Sequence, residues 1–316
     1  MQIGDLANAS TITGIGQNAG DDAEATEQLG SLSGRSLAHF EVGDILGRGT
    51  SAIVFRAKDS KADREVALKV MQPTFSQNED EVQRFVRAMK TMMPLNHPNL
   101  VRLYGAGRSG PYCWVSMELV DGENMTQVIQ RIGVAGMLDW KYAYRVAVHI
   151  ARALEHAHGQ NIIHRNITPT NVLMEKESKT AKLGDLMLAR ALEGTLAKQI
   201  TKPGEILGDV NYMSPERTKS DASQIDNRSD LFSLGSLVYA LLTGKPPFAG
   251  SNMVDTIGKI RSADPEKPTK YQMSIPGQIE GMVMRLLQKA PAARYQTATE
   301  VLEELERIGR FQGATA

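Results

Sequence analysis

The sequence has little of what marks secreted, membrane-spanning or nucleic-acid-binding proteins. Cys113 is the only cysteine among 316 residues, so no disulfide forms within the chain and a reducing compartment is expected. Lys and Arg together number 36, as do Asp and Glu, so there is no excess positive charge to favour nucleic acid. No apolar run reaches the roughly 18 residues of a membrane span, and the first residues lack a basic and apolar leader. We therefore expect a cytoplasmic protein with no membrane insertion and no nucleic-acid partner.

Large apolar side chains are also scarce in the first 37 residues, although the whole chain is 41% hydrophobic. This segment is rich in Gly, Ala, Ser, Thr and acidic residues, and such a composition buries too little apolar surface to offset the entropy lost on ordering. We therefore predict a disordered tail over residues 1–37. A folded domain is predicted over residues 38–309, followed by a short tail over residues 310–316.

Two polar stretches near the middle of the chain carry the strongest functional signal. The first runs from His164 to Asn171 and follows a long amphipathic helical pattern. The second is Gly184-Asp185-Leu186, a short acidic turn. The two stretches resemble the catalytic loop, H-R-D-L-x-x-x-N, and the D-F-G turn of protein kinases.

A glycine turn and a lysine-bearing strand precede these stretches in the order expected of that family. Alternating apolar residues on both sides of Gly47-Arg48-Gly49 predict a β-hairpin, which alone is a weak signal. The strand from Val66 to Val70, which contains Lys69, resembles the V-A-I-K strand of kinases. The resemblance to the protein kinase superfamily, in its bacterial Ser/Thr branch, runs from Phe40 to Ile308.

The resemblance implies an α+β, bilobal protein-kinase-like fold. It places a small β-rich N-lobe with one main helix at residues 38–119, and a larger, mainly helical C-lobe at residues 123–309. Apolar residues at helical spacing predict helices over residues 78–93 and 139–158, the second ended by Gly159. Strands are predicted over residues 100–104 and 112–120.

The resemblance also implies that the chain binds ATP, or another nucleotide, together with Mg²⁺. Lys69 matches the lysine that holds the nucleotide phosphates, and Asn171 and Asp185 match the two metal ligands of the family. Their oxygen atoms suit a hard cation such as Mg²⁺. The full set of nucleotide contacts implied by the resemblance is Gly47, Gly49, Val54, Ala67, Lys69, Met117, Glu118, Val120 and Leu173.

Four positions near the implied phosphoryl-transfer site depart from the family pattern, and three of them lose a charged group. Asn166 stands at the position of the catalytic Asp, and its neutral amide cannot accept a proton near pH 7. Thr168 stands at the position of the loop Lys, and Ala88 at that of the helix Glu that pairs with the strand lysine. Asp209 replaces a Thr of the family, and whether its carboxylate serves as a displaced proton acceptor is left open by the sequence. Because Ala88 removes the usual partner of the strand lysine, we hypothesise that this lysine pairs with Asp185.

Other motifs support the fold rather than the chemistry. The resemblance implies that Asp230 bonds to the backbone of the catalytic loop. It also implies that Glu216, in the motif Ser214-Pro215-Glu216, pairs with Arg294. These features belong to protein-kinase-like platforms and disfavour phosphate transfer to a small molecule.

Two functions from different classes follow. The first is a pseudokinase that binds Mg-ATP, transfers phosphate poorly or not at all, and acts in signalling as a regulator or scaffold for an unidentified protein partner. The second is a divergent Ser/Thr protein kinase that works slowly or through Asp209. Nucleotide binding and phosphoryl transfer, measured separately, distinguish them.

Overall fold

A computed structural model of the chain describes residues 29–49, 51–77, 79–135, 138–186, 209–219 and 225–316. The chain divides into two compact units. The first contains the described residues up to Asn96 together with Val101–Val120, and the second contains His97–Leu100 and the described residues from Asp121 onwards. The first unit is mainly sheet and the second mainly helix, which agrees with the predicted α+β class.

An antiparallel sheet of six strands forms the first unit, in the order β1-β2-β3-β4-β6-β5. The strands are β1 (Ser36–Leu37), β2 (Phe40–Arg48), β3 (Ala52–Asp59), β4 (Arg64–Met71), β5 (Leu103–Ser109) and β6 (Tyr112–Met117). A short helix α1 (Pro73–Ser76) and the main helix α2 (Glu79–Met92) follow β4. The predicted strand over residues 100–104 is wrong in its start, because Leu100 forms a bridge with Leu183 instead.

The register of this sheet places four predicted nucleotide contacts on one face. Val54 lies opposite Lys69, and Ala67 lies opposite Met117. Side chains of directly opposed residues share a face, as do those two positions apart on one strand. The other face carries the large apolar residues of the core, among them Phe55, which is fully buried.

The predicted disordered tail is wrong for residues 29–37. Leu29, Leu32 and Leu37 are buried in the core cluster that contains Phe40 and Trp114. The Gly34 amide donates to the Val42 carbonyl at 2.8 Å, and β1 pairs with β2. The small residues between the three leucines dilute the apolar signal, so average composition does not reveal it. Residues 1–28 of the predicted tail lie outside the described part of the chain.

Leu29 provides a test of this N-terminal turn. Its side chain is fully buried, so Leu29→Ala removes apolar contacts and leaves a cavity. We expect the free energy of unfolding to fall by about 2 to 3 kcal/mol, the low end for a buried leucine, measured by urea denaturation. Arg35→Ala, a change at an exposed position of the same turn, is the control. An unchanged unfolding midpoint in Leu29→Ala would show that the turn adds no stability.

The second unit combines a small sheet with six helices among its described residues. The sheet has the order β7-β8-β9. Its strands are β7 (Gly122–Asn124), β8 (Val172–Glu175) and β9 (Ala181–Leu183). The helices are α3 (Met125–Ala135), α4 (Trp140–Gly159), α5 (Asn227–Thr243), α6 (Met253–Ser262), α7 (Gly277–Leu286) and α8 (Ala298–Gln312). No helix in the described ranges is long and apolar enough to cross a bilayer.

Helix α4 continues slightly further than the sequence indicates. Gly159 is its last helical residue, and Asn161 takes the left-handed conformation, with φ 57°, that terminates it. The Ile162 amide then donates to the Ala157 carbonyl at 3.0 Å, as in a common helix-ending motif. Asn is the residue that best replaces glycine in this conformation, so the predicted stop at Gly159 is wrong in position. The last helix of the chain, α8, continues to Gln312. The predicted tail over residues 310–316 is therefore wrong for residues 310–312.

Candidate active site

The hairpin formed by β8 and β9 brings the two predicted metal ligands together. Asn171 immediately precedes β8, and Asp185 lies two residues beyond the end of β9. Antiparallel pairing places Val172 opposite Leu183, so both ligands emerge at the same end of the hairpin. The Gly184 amide donates to the Asn171 carbonyl at 2.8 Å and fixes the first residue of the acidic turn.

The side chains at this end of the hairpin suit magnesium. Nδ2 of Asn171 donates to the Asn166 carbonyl at 2.9 Å, which directs Oδ1 elsewhere as an acceptor. Asp185 is half-buried and has φ 61°, an uncommon conformation for a residue other than glycine. Two oxygen ligands from protein, with the rest from phosphates and water, is a usual arrangement for Mg²⁺. No cluster of three His, Cys, Asp or Glu side chains suited to a metal occurs among the described residues.

A buried histidine connects the predicted catalytic loop to the acidic turn. Nε2 of His164 lies 2.9 Å from the Gly184 carbonyl, and Nδ1 accepts from the Asn166 amide at 3.2 Å. Because a carbonyl only accepts, Nε2 carries the proton and Nδ1 does not. Burial lowers the pKa of His164, which keeps the ring in this neutral form. The loop and the turn are therefore joined through one imidazole.

Asp230, at the start of α5, holds the backbone of the same loop. Its carboxylate accepts from the amides of His164 and Arg165, both at 2.7 Å, and lies 2.9 Å from Nε2 of His158. Burial opposes ionisation, but these bonds outweigh it and lower the pKa of Asp230 below its usual value. They also hold Arg165 at φ 64°. The predicted bond from Asp230 to the catalytic-loop backbone is confirmed.

The position of the catalytic base holds an amide on an otherwise well-supported loop. Asn166 is half-buried, and its backbone amide and carbonyl bond to His164 and Asn171. Thr168 is buried two residues later. These backbone bonds do not involve the Asn166 side chain, so an Asp at this position would be held by the same contacts.

Asp209 is engaged locally. Its Oδ1 accepts from the backbone amide of Asn211 at 3.0 Å and from the Asn211 side chain at 2.7 Å. The carboxylate thereby caps the 3-10 turn Val210–Tyr212, and the residue is exposed. Within the described part of the chain, no hydrogen bond connects Asp209 to Asn166 or Thr168. The suggestion that Asp209 is a displaced base stays a prediction.

Lys69, a predicted phosphate contact, and Ala88, at the position of the helix Glu, are both buried in the first unit. Lys69 is 8% exposed in the middle of β4, and Ala88 is 2% exposed on α2. Ala88 therefore places a methyl group in the interior where the family pattern has a carboxylate. The pairing of Lys69 with Asp185 stays a prediction.

The remaining predicted nucleotide contacts fall on defined backbone positions. Gly47 lies next to the last residue of β2, and a Cβ added there would meet no atom within 4 Å. The Gly49 amide donates to the Ala52 carbonyl at 2.9 Å and closes the hairpin turn. Glu118 forms two bonds with Arg102, one through its amide and one through its carboxylate. Val120 and Leu173 are half-buried, the former after β6 and the latter within β8.

The predicted ion pair between Glu216 and Arg294 is confirmed. Arg294 donates to both carboxylate oxygens of Glu216, at 2.8 and 2.9 Å, and both side chains are buried. Ser229 donates to the same carboxylate at 2.6 Å. The carboxylate is therefore fully engaged within the second unit.

Two residues that contact β9 were not predicted from the sequence. They are His149 on α4 and Asn99, which precedes β5. Their partners on β9 are backbone groups 32 and 82 residues away in the chain. No sequence motif encodes such contacts.

The chain is similar to known proteins over most of its length. Residues 40–305 match the family model for the protein kinase domain. The chain is 32% identical over 281 residues to the serine/threonine-protein kinase PknB of Mycolicibacterium smegmatis, covering 88% of this chain and 44% of that protein. It is 30% identical over 276 residues to a probable serine/threonine-protein kinase of Clostridium perfringens, covering 87% of this chain and 39% of that protein. The chain therefore spans less than half the length of these relatives.

Solved structures show the same fold. The crystal structure of the PknI kinase domain of Mycobacterium tuberculosis aligns with a TM-score of 0.68 at 22% identity, covering 87% of this chain and 98% of that one. At this level of identity the likeness concerns the fold, which is the bilobal fold of protein kinases with a sheet-rich N-lobe and a helical C-lobe. The match over residues 40–305 shows that the chain belongs to the protein kinase domain family.

Proposed function

We propose that the chain is a pseudokinase-type member of this family. It binds Mg-ATP, transfers phosphate poorly or not at all, and acts in signalling as a regulator or scaffold for a protein partner. One observation carries the proposal. The catalytic loop has its backbone contacts in place around Asn166, yet the side chain presented there is an amide.

Nucleotide binding is supported by features of each unit taken separately. In the second unit, Asn171 and Asp185 emerge at one end of the β8–β9 hairpin with oxygen atoms suited to Mg²⁺. In the first unit, Lys69 shares a sheet face with other predicted nucleotide contacts. A Cβ added at Gly47 would meet no protein atom within 4 Å, so packing does not explain the glycine, and a nucleotide could approach the backbone closely there.

Loss of transfer is supported by the chemistry of the replaced groups. A positioned general base contributes about 10²- to 10⁴-fold to a rate, and Asn166 cannot accept a proton at neutral pH. Removing a stabilising donor or charge from a transition state costs about another 10²- to 10³-fold, and Thr168 lacks the charge of the loop Lys. Ala88 removes the acid that orients the strand lysine. A typical kinase turns over about 1 to 100 times per second, so the combined loss makes transfer too slow for signalling.

The alternative is a divergent active kinase, and the relatives described above are named as kinases. In that case Asp209 is the best remaining acceptor. Its two bonds to Asn211 give it a capping role, which favours the first proposal.

Nucleotide binding is tested by thermal unfolding with and without Mg-ATP. A ligand at 100 times its dissociation constant stabilises the native state by about 2.7 kcal/mol, so we expect a clear rise in Tm for the unmodified chain. Asp185→Asn is expected to remove most of the increase that depends on Mg²⁺, because an amide is a weaker ligand for a hard cation. Asp209→Asn is the matched control, an identical change at an exposed carboxylate that caps a turn.

Transfer is followed in parallel with radiolabelled ATP and a generic protein acceptor. Binding with negligible transfer supports the pseudokinase. Transfer at the rate of a typical kinase by the unmodified chain contradicts it, and a transfer that Asp209→Asn abolishes supports the alternative.

A further inference from the structure

Backbone N–H and C=O groups on the outer edge of β9 form hydrogen bonds with residues from elsewhere in the second unit. β9 is the last strand of its sheet, so one of its edges has no neighbouring strand. The Ala181 amide donates to Nδ1 of His149 at 3.0 Å. The Ala181 carbonyl accepts from Nδ2 of Asn99 at 3.0 Å, and the Leu183 amide donates to the Asn99 carbonyl at 2.8 Å. Two residues thus satisfy three edge groups of a three-residue strand.

Both supporting residues are held in place. Asn99 is buried, and its amide donates to Nδ1 of His97 at 3.1 Å. The His97 ring stacks on His156 of α4, with ring centroids 5.1 Å apart. His149 is buried on the same helix. His149 therefore links β9 to α4 directly, and Asn99 links it to α4 through His97 and His156.

Only Gly184 separates β9 from the metal ligand Asp185. Its amide and carbonyl are fixed by Asn171 and His164. Those bonds hold the turn from the side of the catalytic loop, whereas Asn99 and His149 hold the strand that leads into it from the opposite edge. A shift of β9 along or away from α4 would move Asp185 with it.

We infer that Asn99 and His149 are positioning residues that set Asp185 for binding Mg²⁺. They touch neither metal nor nucleotide and act through the backbone of β9. Residues that orient metal ligands commonly affect metal affinity by about 10- to 100-fold when replaced. The inference rests on the proposed nucleotide binding.

Nδ1 of His149 acts as an acceptor because the ring is neutral. Burial lowers the pKa of His149 to about 4, so Nδ1 is available to the Ala181 amide at neutral pH. His149→Leu removes the acceptor and leaves a buried amide without a partner. His149→Asn keeps an acceptor, since the Oδ1 atom of Asn branches from the same carbon as Nδ1 of His.

The experiment measures ATP binding to the full chain by calorimetry, once with Mg²⁺ and once with EDTA. We expect His149→Leu to weaken binding by about 10- to 100-fold in Mg²⁺ and to leave binding in EDTA unchanged. His149→Asn is expected to recover the Mg²⁺-dependent part. Tyr144→Phe is the matched control. This residue also lies on α4 and loses a buried bond, 3.2 Å long, whose acceptor is the Leu305 carbonyl of α8 and not β9.

Two results would overturn the inference. One is an equal loss of affinity with and without Mg²⁺ in His149→Leu. The other is a loss in Tyr144→Phe as large as in His149→Leu, which would indicate general destabilisation.

A second measurement separates this inference from the proposed function. Deuterium uptake by residues 181–186, without nucleotide, should rise in His149→Leu and not in Tyr144→Phe. If the unmodified chain binds no ATP, the proposed function fails. Deuterium uptake then still tests whether the His149 contact holds β9 in place. Equal uptake in His149→Leu and Tyr144→Phe would overturn the inference.

Discussion

Asn166→Asp is expected to raise the rate of phosphoryl transfer to a protein acceptor by about 10²- to 10⁴-fold, the usual contribution of a positioned general base. The backbone of the loop is already fixed by hydrogen bonds around residue 166. The backbone amide and carbonyl of residue 166 bond to His164 and Asn171, and Asp230 holds the two preceding amides. Since Asn and Asp have nearly the same shape, the new carboxylate enters a backbone that need not move. The measurement is the initial rate of transfer from radiolabelled ATP.

Asn166→Ala is the control, because it removes the amide without supplying a base and should leave transfer at the level of the unmodified chain. Adding Thr168→Lys and Ala88→Glu should increase transfer further by restoring the loop charge and the partner of the strand lysine. Both positions are buried, Thr168 at 6% and Ala88 at 2% exposure, so the longer side chains have to displace neighbours. A triple variant that folds, binds nucleotide and shows no gain would mean that the missing groups are not the limiting defect.

The chemical motifs of the site were predictable because each is local in sequence. Asn166, Asn171 and Asp185 lie within two short stretches, and the pairing of the hairpin between them brings the stretches together. The lysine-bearing strand was predicted as residues 66–70 and observed as Arg64–Met71, since alternation is clear in its middle and weak at its ends. The sequence therefore predicted that these three residues lie near one another, as the hairpin places them.

The residues that hold those groups in place were harder to find. Leu29 and Leu32 lie in a segment whose composition resembles a disordered tail, and only the sheet face they cover makes them core residues. His149 occupies a helix position where its bond goes to a backbone amide, which no side-chain pattern indicates. Asn161 ends α4 because a left-handed residue was needed just past the helix, and Asn competes with Gly for that role. Tertiary contacts decided the first two, and the geometry of the helix end decided the third.

The largest stability effect is expected at the buried pair of Glu216 and Arg294. Arg294→Met should lower the free energy of unfolding by about 3 to 5 kcal/mol, because it leaves an unpaired carboxylate in the interior. Arg294 also donates to the carbonyls of Gln288, Arg228 and Lys289, at 2.7, 2.9 and 3.0 Å, and these acceptors lose their donor as well. Urea denaturation at pH 7 measures the loss.

The double variant Arg294→Met with Glu216→Leu separates the cost of the unpaired charge from the value of the pair. Replacing both members of a buried ion pair is often close to neutral, so the double variant should be more stable than Arg294→Met alone. Recovery should be incomplete, because the three carbonyls and the Ser229 hydroxyl still lack their partners. A double variant no more stable than Arg294→Met would show that the stranded carboxylate was not the source of the loss.

The acid dependence of stability provides an independent check on the same pair. Burial alone would raise the pKa of Glu216, but its bonds from Arg294 and Ser229 outweigh burial and lower it below the usual value. A carboxylate with a lowered folded-state pKa stabilises the native state above its unfolded pKa and loses that contribution as pH falls through the folded value. The unmodified chain should therefore lose stability from this pair below about pH 4.5, the ordinary pKa of a glutamate. The double variant Arg294→Met with Glu216→Leu should lack that component, and unfolding curves of this variant and of the unmodified chain at pH 7 and at acid pH decide whether it does.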